Sequence, residues 1–166
     1  GIMYGAGPFR MAQELSISIK NAKKIIDNYF NTYKSIKSYI DTNIDRAAKI
    51  GYVETYFGRK RDTINLNSSN ANIVNAEKRA AVNMPIQGTA AELIKIAMID
   101  IRDAINSENL KSKMVLQVHD ELLFELHKSE EEIMTKIIVD KMENSIKLDV
   151  PLKVDFRIGD SWYDIH

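Results

Sequence analysis

Met114-Val115-Leu116-Gln117-Val118-His119-Asp120-Glu121-Leu122-Leu123-Phe124-Glu125-Leu126 decides the reading of this chain. Two largely apolar runs flank three polar residues. The pattern predicts a strand over 114–118, a tight turn over 119–121 and a returning strand over 122–126. Two adjacent carboxylates, Asp120 and Glu121, then stand at the apex of a rigid apolar base. Such an apex presents oxygen ligands well to a hard cation such as Mg²⁺. Side chains alternate along extended chain, so the two acids should point different ways and one principal ligand is expected, not a bidentate pair. Acidic residues also suit turns for conformational reasons alone. His119 reads either as a contact to an anion or metal, or as a hydrogen-bonded structural residue.

C-terminal to this hairpin, Glu130 to about Ile146 has helical periodicity, with Ile133, Ile137, Met142 and Ile146 among the inner positions. Val154 to Ile158 predicts a last strand, and the tail ends with Trp162 and His166. N-terminal to it, a helical stretch runs from near Asn72 to about Asn106 with Pro85 in its middle, where a kink or two abutting helices are expected. Arg79, Asn83 and Gln87 fall at i, i+4 and i+8 and so share one face. Ala80, Ala81, Ala90 and Ala91 beside them would let a large partner approach. Arg binds phosphate or stacks, and the two amides donate and accept at base edges. Minor-groove acceptors occur at every base pair, so such a face would grip DNA with little sequence preference. A solvated polar face backed by small-residue packing is the alternative.

Earlier still, Pro8 to about Leu15 reads as a short helix. Ser16 and Ser18 offer caps for a long one ending at Gly51, with Ala22, Ile26, Tyr29, Tyr33, Ile36, Ile40, Ile44 and Ala47 as its apolar stripe. A helix of that length is expected to hide a break or to project from a body. Tyr52 to Tyr56, Phe57-Gly58 and Arg59-Lys60-Arg61 read as a small hairpin. Gly1-Ile2-Met3-Tyr4-Gly5 offers a tyrosine that stacks on a base or fills a core. Helical runs beside a small antiparallel sheet give an α+β fold.

The chain has 166 residues with 23 basic and 23 acidic side chains and no cysteine. The missing cysteines exclude a disulfide scaffold, a thiol nucleophile and a Cys-based zinc site. No apolar run reaches the ~18–20 residues of a membrane span, so a cytoplasmic protein with no membrane partner is expected. The neutral total hides an asymmetry. Residues 1–64 carry 11 Lys/Arg against 6 Asp/Glu, and residues 65–166 carry 12 against 17. A basic half can serve a polyanion and an acidic half a cation, although a solvated surface also accounts for it. The chain opens on Gly1 in mid-pattern, and a piece of something longer is expected.

These motifs together resemble the family A DNA polymerases over the whole chain. Gly1-Ile2-Met3-Tyr4-Gly5 is similar to the end of that family's nucleotide-binding finger helix. Gly51-Tyr52-Val53-Glu54-Thr55 with Gly58-Arg59-Lys60-Arg61 is similar to a hairpin segment, and Glu77 through Ala91 to its duplex-contacting helix. Gln117-Val118-His119-Asp120-Glu121 is similar to the motif carrying one of two metal-binding palm aspartates. The ending at Trp162 and His166 is similar to a natural C-terminus of bacterial members. Two departures stand out: Glu92 where the family usually has Asp, and Phe57-Gly58 where a more polar turn is common.

The resemblance implies a fragment of a DNA-directed DNA polymerase. Residues 1–68 would be the C-terminal part of the fingers, and 69–166 the C-terminal part of a palm with a small antiparallel sheet and long helices. Asp120 would bind the catalytic Mg²⁺ ions, with Glu121 assisting. His119 would sit against the primer terminus, and Arg79, Asn83 and Gln87 would contact template and primer. Tyr4 would sit by the insertion site. The partners would be primer-template DNA, deoxynucleoside triphosphates and the rest of the polymerase chain. The second aspartate, the Arg and Lys that hold the triphosphate, and the thumb would precede Gly1, leaving the fragment alone inert. A metal phosphohydrolase using His119-Asp120 is a rival short of ligands, since only His127 and His166 remain. A double-stranded DNA-binding module without chemistry is the non-enzyme rival.

Overall fold

Helix starts and stops follow local chemistry in the N-terminal part of the computed structural model, which describes residues 1–165. Pro8 opens α1 (Pro8–Leu15), where its missing N–H costs nothing. The chain reverses at Ser16, and Ser18 caps α2 (Ile19–Thr32) by accepting a hydrogen bond from the Asn21 amide at 3.2 Å. The expected long helix breaks here: α2 ends at Thr32 and α3 runs Lys34–Ile50. Tyr33 lies between them at φ −104°, ψ 64°, outside helical geometry. Thr32 bonds back to the Asn28 carbonyl, and the Tyr33 ring packs on Tyr29 and stays 52% exposed. The stripe is otherwise as read, with Ala22 and Ala47 buried. Gly51 closes α3 in the left-handed region.

After Gly51 come β1 (Tyr52–Glu54) and β2 (Lys60–Asp62), an antiparallel pair. Their tip is tied down twice. The Arg59 amide donates to Thr55 Oγ1 at 3.1 Å, and the Tyr56 amide donates to Thr89 Oγ1 at 2.9 Å. Val53 packs with Ala47 and Ala81 into a small core against which Leu66 and Met84 lie. Glu77 is buried beneath it, accepting from Arg61 Nη1 at 2.6 Å and Asn65 Nδ2 at 2.9 Å.

Two compact units divide the chain, Gly1–Thr89 and the residues from Ala90 onward. The division falls inside α4 (Ala71–Ser107), which continues as one helix through Pro85, where a kink or two abutting helices were expected. Thr89 Oγ1 donates to the Pro85 carbonyl at 2.5 Å, one turn on.

In the second unit β3 (Lys113–Val118) and β4 (Glu121–Glu125) form the expected hairpin, with a bulge at Val115. The unit's α5 runs Glu131–Glu143, shorter than the periodicity suggested, and Met134, not Ile133, is its buried residue. Val154–Ile158 is not a strand. None of the described residues pairs with it, and a strand exists only through its ladder. The Val154 amide turns instead to Glu143 Oε1 at 3.1 Å. A short α6 (Trp162–Ile165) follows, and His166 lies outside the described residues.

Glu130 is the second buried acid. It accepts from the Lys111 amide, and from the Ser112 amide and hydroxyl, at 2.7–3.0 Å, joining the entry of β3 to that of α5. Those bonds, led by the Lys111 amide against the cost of burial, hold its carboxyl below the usual range. At Glu77 burial alone would raise the pKa, but hydrogen bonds from Arg61 and Asn65 together with the Arg61 charge outweigh it and lower it. Both shifts are depressions. Their stabilisation is therefore complete above the unfolded carboxyl pKa of about 4.3 and is lost as pH falls through the lower folded values. Urea unfolding of Glu77→Gln is expected to show a loss of about 1–3 kcal/mol at neutral pH. The same variant should lose stability less steeply than the wild-type chain below about pH 4.3.

Candidate metal-ligand hairpin and nucleic-acid ridge

In the β3–β4 hairpin, Val118 pairs with Glu121, so the reversal is made by His119 and Asp120 alone. This corrects the expected three-residue turn: Glu121 is the first residue of β4. His119 has φ 54°, left-handed for a residue with a side chain. His enters that region more readily than most residues, but the conformation still costs energy. Gln117 steadies it by donating from Nε2 to the His119 carbonyl at 3.0 Å. Sequence reasoning gave Gln117 no part, since nothing in an apolar strand pattern distinguishes a brace from an outward-facing amide.

Asp120 stands exposed at the apex, and its carboxylate takes no hydrogen bond or ion pair among the described residues. That sets it apart from Glu77 and Glu130, whose lone pairs are already used. A cleft of about 580 Å³ opens beside it, lined by Asp120, Glu121, Leu122, Phe124, Val154 and Trp162, among others. No cluster of three or more His, Asp or Glu side chains suited to a metal occurs among the described residues. The hairpin supplies one open carboxylate, not a cage. That fits an ion which keeps several waters and takes one or two carboxylates plus substrate phosphates.

The second feature belongs to the first unit. Along α4, Arg79 and Gln87 are exposed and Asn83 is half-buried. The Asn83 Oδ1 is buried without a hydrogen-bond partner, an unusual cost for a structural amide. Tyr4, half-buried, ends a single 3₁₀ turn (Ile2–Tyr4), and the next residue, Gly5, lies directly against the Arg79 side chain. The structure thus gathers Tyr4 and Arg79 in one neighbourhood, and His119, Asp120 and Glu121 in another. Gly88 was also missed. A Cβ there would stand 2.6 Å from Thr55 Cγ2, so the bare helix backbone is what seats the β1–β2 tip. The signal was available, because glycine inside a helix costs roughly 1 kcal/mol and asks for a reason.

A bare acid on a braced two-residue reversal, and a helix presenting Arg and amide side chains, are the kinds of group that can meet a divalent cation and a polyanion. The sequence model described as DNA polymerase family A matches residues 1–164, and the chain belongs to that family. It is 44% identical over 164 residues to DNA polymerase I of Bacillus subtilis (strain 168), covering 99% of this chain and 19% of that protein. Against DNA polymerase I of Mycobacterium tuberculosis (strain ATCC 25618 / H37Rv) it is 43% identical over 162 residues, 98% of this chain and 18% of that one. The POL domain of Pol1 from M. smegmatis, solved in complex with DNA primer-template and dNTP, superposes with a TM-score of 0.88 at 42% identity. That match covers 92% of this chain and 27% of that one. The chain therefore spans about a fifth of the length of the curated relatives it matches.

The left-handed turn gives a direct test. His119→Asn should leave stability near that of the wild-type chain, because Asn accepts this backbone. His119→Val should cost about 1–2 kcal/mol in urea unfolding. Equal costs would show that the turn does not hold the conformation described.

Proposed function

We propose that this chain is the C-terminal portion of a DNA-directed DNA polymerase acting in replication and repair, with residues 1–68 in the fingers and 69–166 in the palm. The observation that carries the reading is Asp120: an exposed, unpaired carboxylate on a braced hairpin, within a family match that runs nearly end to end. A duplex-binding module without chemistry would leave that apex unexplained.

In this reading Asp120 holds Mg²⁺, and Glu121 assists from the first position of β4. When bound, the metal supplies activation of the primer 3′-hydroxyl and stabilisation of charge on the triphosphate and leaving group. The chain's other residues orient. Gln87 and the Nδ2 of Asn83 donate to minor-groove acceptors, which every base pair presents, so grip is independent of sequence. Arg79 adds charge and a rigid donor fork on the template-primer duplex. His119 lies against the primer terminus, and Tyr4 lines the site where the templating base meets the incoming nucleotide. No helix among the described residues is long and apolar enough to cross a membrane.

One carboxylate does not complete a two-metal site. A second aspartate would come from chain beyond these residues, and the open cleft beside Asp120 is where we place the strand that carries it. The isolated 166-residue chain is accordingly expected to be inert in primer extension with Mg²⁺ and nucleotides. In the complete polypeptide, Asp120→Asn should lower the extension rate by at least about a hundredfold while primer-template affinity changes little, because loss of even an indirect ligand partner costs 10–100-fold. Full activity of Asp120→Asn would sink the proposal.

A further inference from the structure

Arg79 has the one long cationic side chain on the α4 ridge, and its guanidinium is held by no hydrogen bond or ion pair among the described residues. An unheld Arg spreads over many rotamers and loses that freedom when a ligand fixes it. What restrains it is its stem. A Cβ on Gly5 would stand 2.7 Å from Arg79 Cγ and 3.0 Å from Cδ, so these methylenes lie in the space a side chain would fill. The clash is with the root of the side chain, not its mobile end. Relief would require turning Arg79 about its first torsion, which swings the guanidinium elsewhere.

Gly5 differs in this from the other left-handed glycines. It has φ 84°, close to the 83° of Gly51 and Gly58, but a Cβ on either of those would meet nothing within 4 Å. At Gly51 and Gly58 the backbone conformation alone asks for glycine. At Gly5 the conformation and the seat both do. The turn is itself fixed, with the Gly5 amide donating to the Ile2 carbonyl at 3.0 Å and the Ala6 amide to the Gly1 carbonyl at 3.1 Å.

We propose that Gly5 is a positioning residue: its bare backbone is the seat on which the Arg79 stem lies, and that seat aims the guanidinium at the template-primer duplex. The proposal rests on the reading of Arg79 as a DNA contact. It gives the turn beside Tyr4 a task separate from the tyrosine ring, and it ties the placement of a duplex contact to the loop next to the nucleotide-insertion residue.

The test is a double-mutant cycle on primer-template affinity at fixed salt, in the complete polypeptide that carries this chain. Gly5→Asn is the main variant, because Asn accepts the left-handed backbone yet carries a Cβ; Gly5→Ala is the second. Arg79→Ala is expected to weaken binding about tenfold or more, the loss of a charged hydrogen-bond donor. Gly5→Asn should weaken it by about three- to tenfold with Arg79 present and by less than about twofold with Arg79→Ala, a coupling expected of residues in contact. A purely structural cost would be the same in both backgrounds, and that result overturns the proposal. No loss for either Gly5 variant, with Arg79→Ala still weakening binding, overturns it while leaving the polymerase reading intact. No loss for Arg79→Ala removes Arg79 from the DNA-binding ridge, and the proposal with it.

Discussion

A two-residue reversal between apolar strands is the constraint from which the rest of the site follows. Because Val118 pairs with Glu121, only His119 and Asp120 are left to turn the chain. His119 must take the left-handed conformation, and Asp120 is carried out of the ladder to the apex. The Gln117 amide closes on the His119 carbonyl and holds the arrangement. A carboxylate placed this way has few ways to relax back onto its own protein. It is open to a ligand from outside the chain, and its unused lone pairs cost little because water reaches them.

The chain separates its acids by use. Glu77 and Glu130 are buried and saturated with hydrogen bonds, each joining segments distant in sequence, and each carries a depressed pKa as a result. They are mortar. Asp120 is exposed and, among the described residues, unpaired. The same economy appears with glycine, where Gly88 seats the Thr55 methyl and Gly5 seats the Arg79 stem. In both places a missing side chain on one element fixes a side chain on another, and the fixed groups adjoin the ridge of Arg79, Asn83 and Gln87.

Much of this was legible in the sequence, for physical reasons that differ by element. The β3–β4 hairpin was readable because apolar strands and a polar turn alternate without ambiguity, and α1 because Pro8 punctuates it. A break in the long stripe was expected from its length, but its place at Tyr33 was not readable, since apolar spacing continues through it while only the backbone departs. At Pro85, of the kink or two abutting helices expected, the abutting pair is not found: its missing amide removes one bond, and α4 runs on through it. Val154–Ile158 has strand composition, but composition does not supply a partner. Ile133 and Met134 are both apolar neighbours, and periodicity alone did not choose between them. Of the site, the exposed acids and amides were visible in the pattern. The Gln117 brace on His119 and the close approach of Gly5 to the Arg79 stem act through contacts that no spacing encodes, whereas Gly88, a glycine inside a helix, left a signal.

The most direct measurement is a crystal structure of the complete polypeptide with primer-template, an incoming nucleotide and a divalent cation. The account predicts a cation about 2.0–2.1 Å from an Asp120 carboxylate oxygen, as Mg²⁺ coordination requires, with Arg79 and Gln87 against the duplex. A catalytic cation held entirely by other ligands, with Asp120 left in solvent, would contradict it.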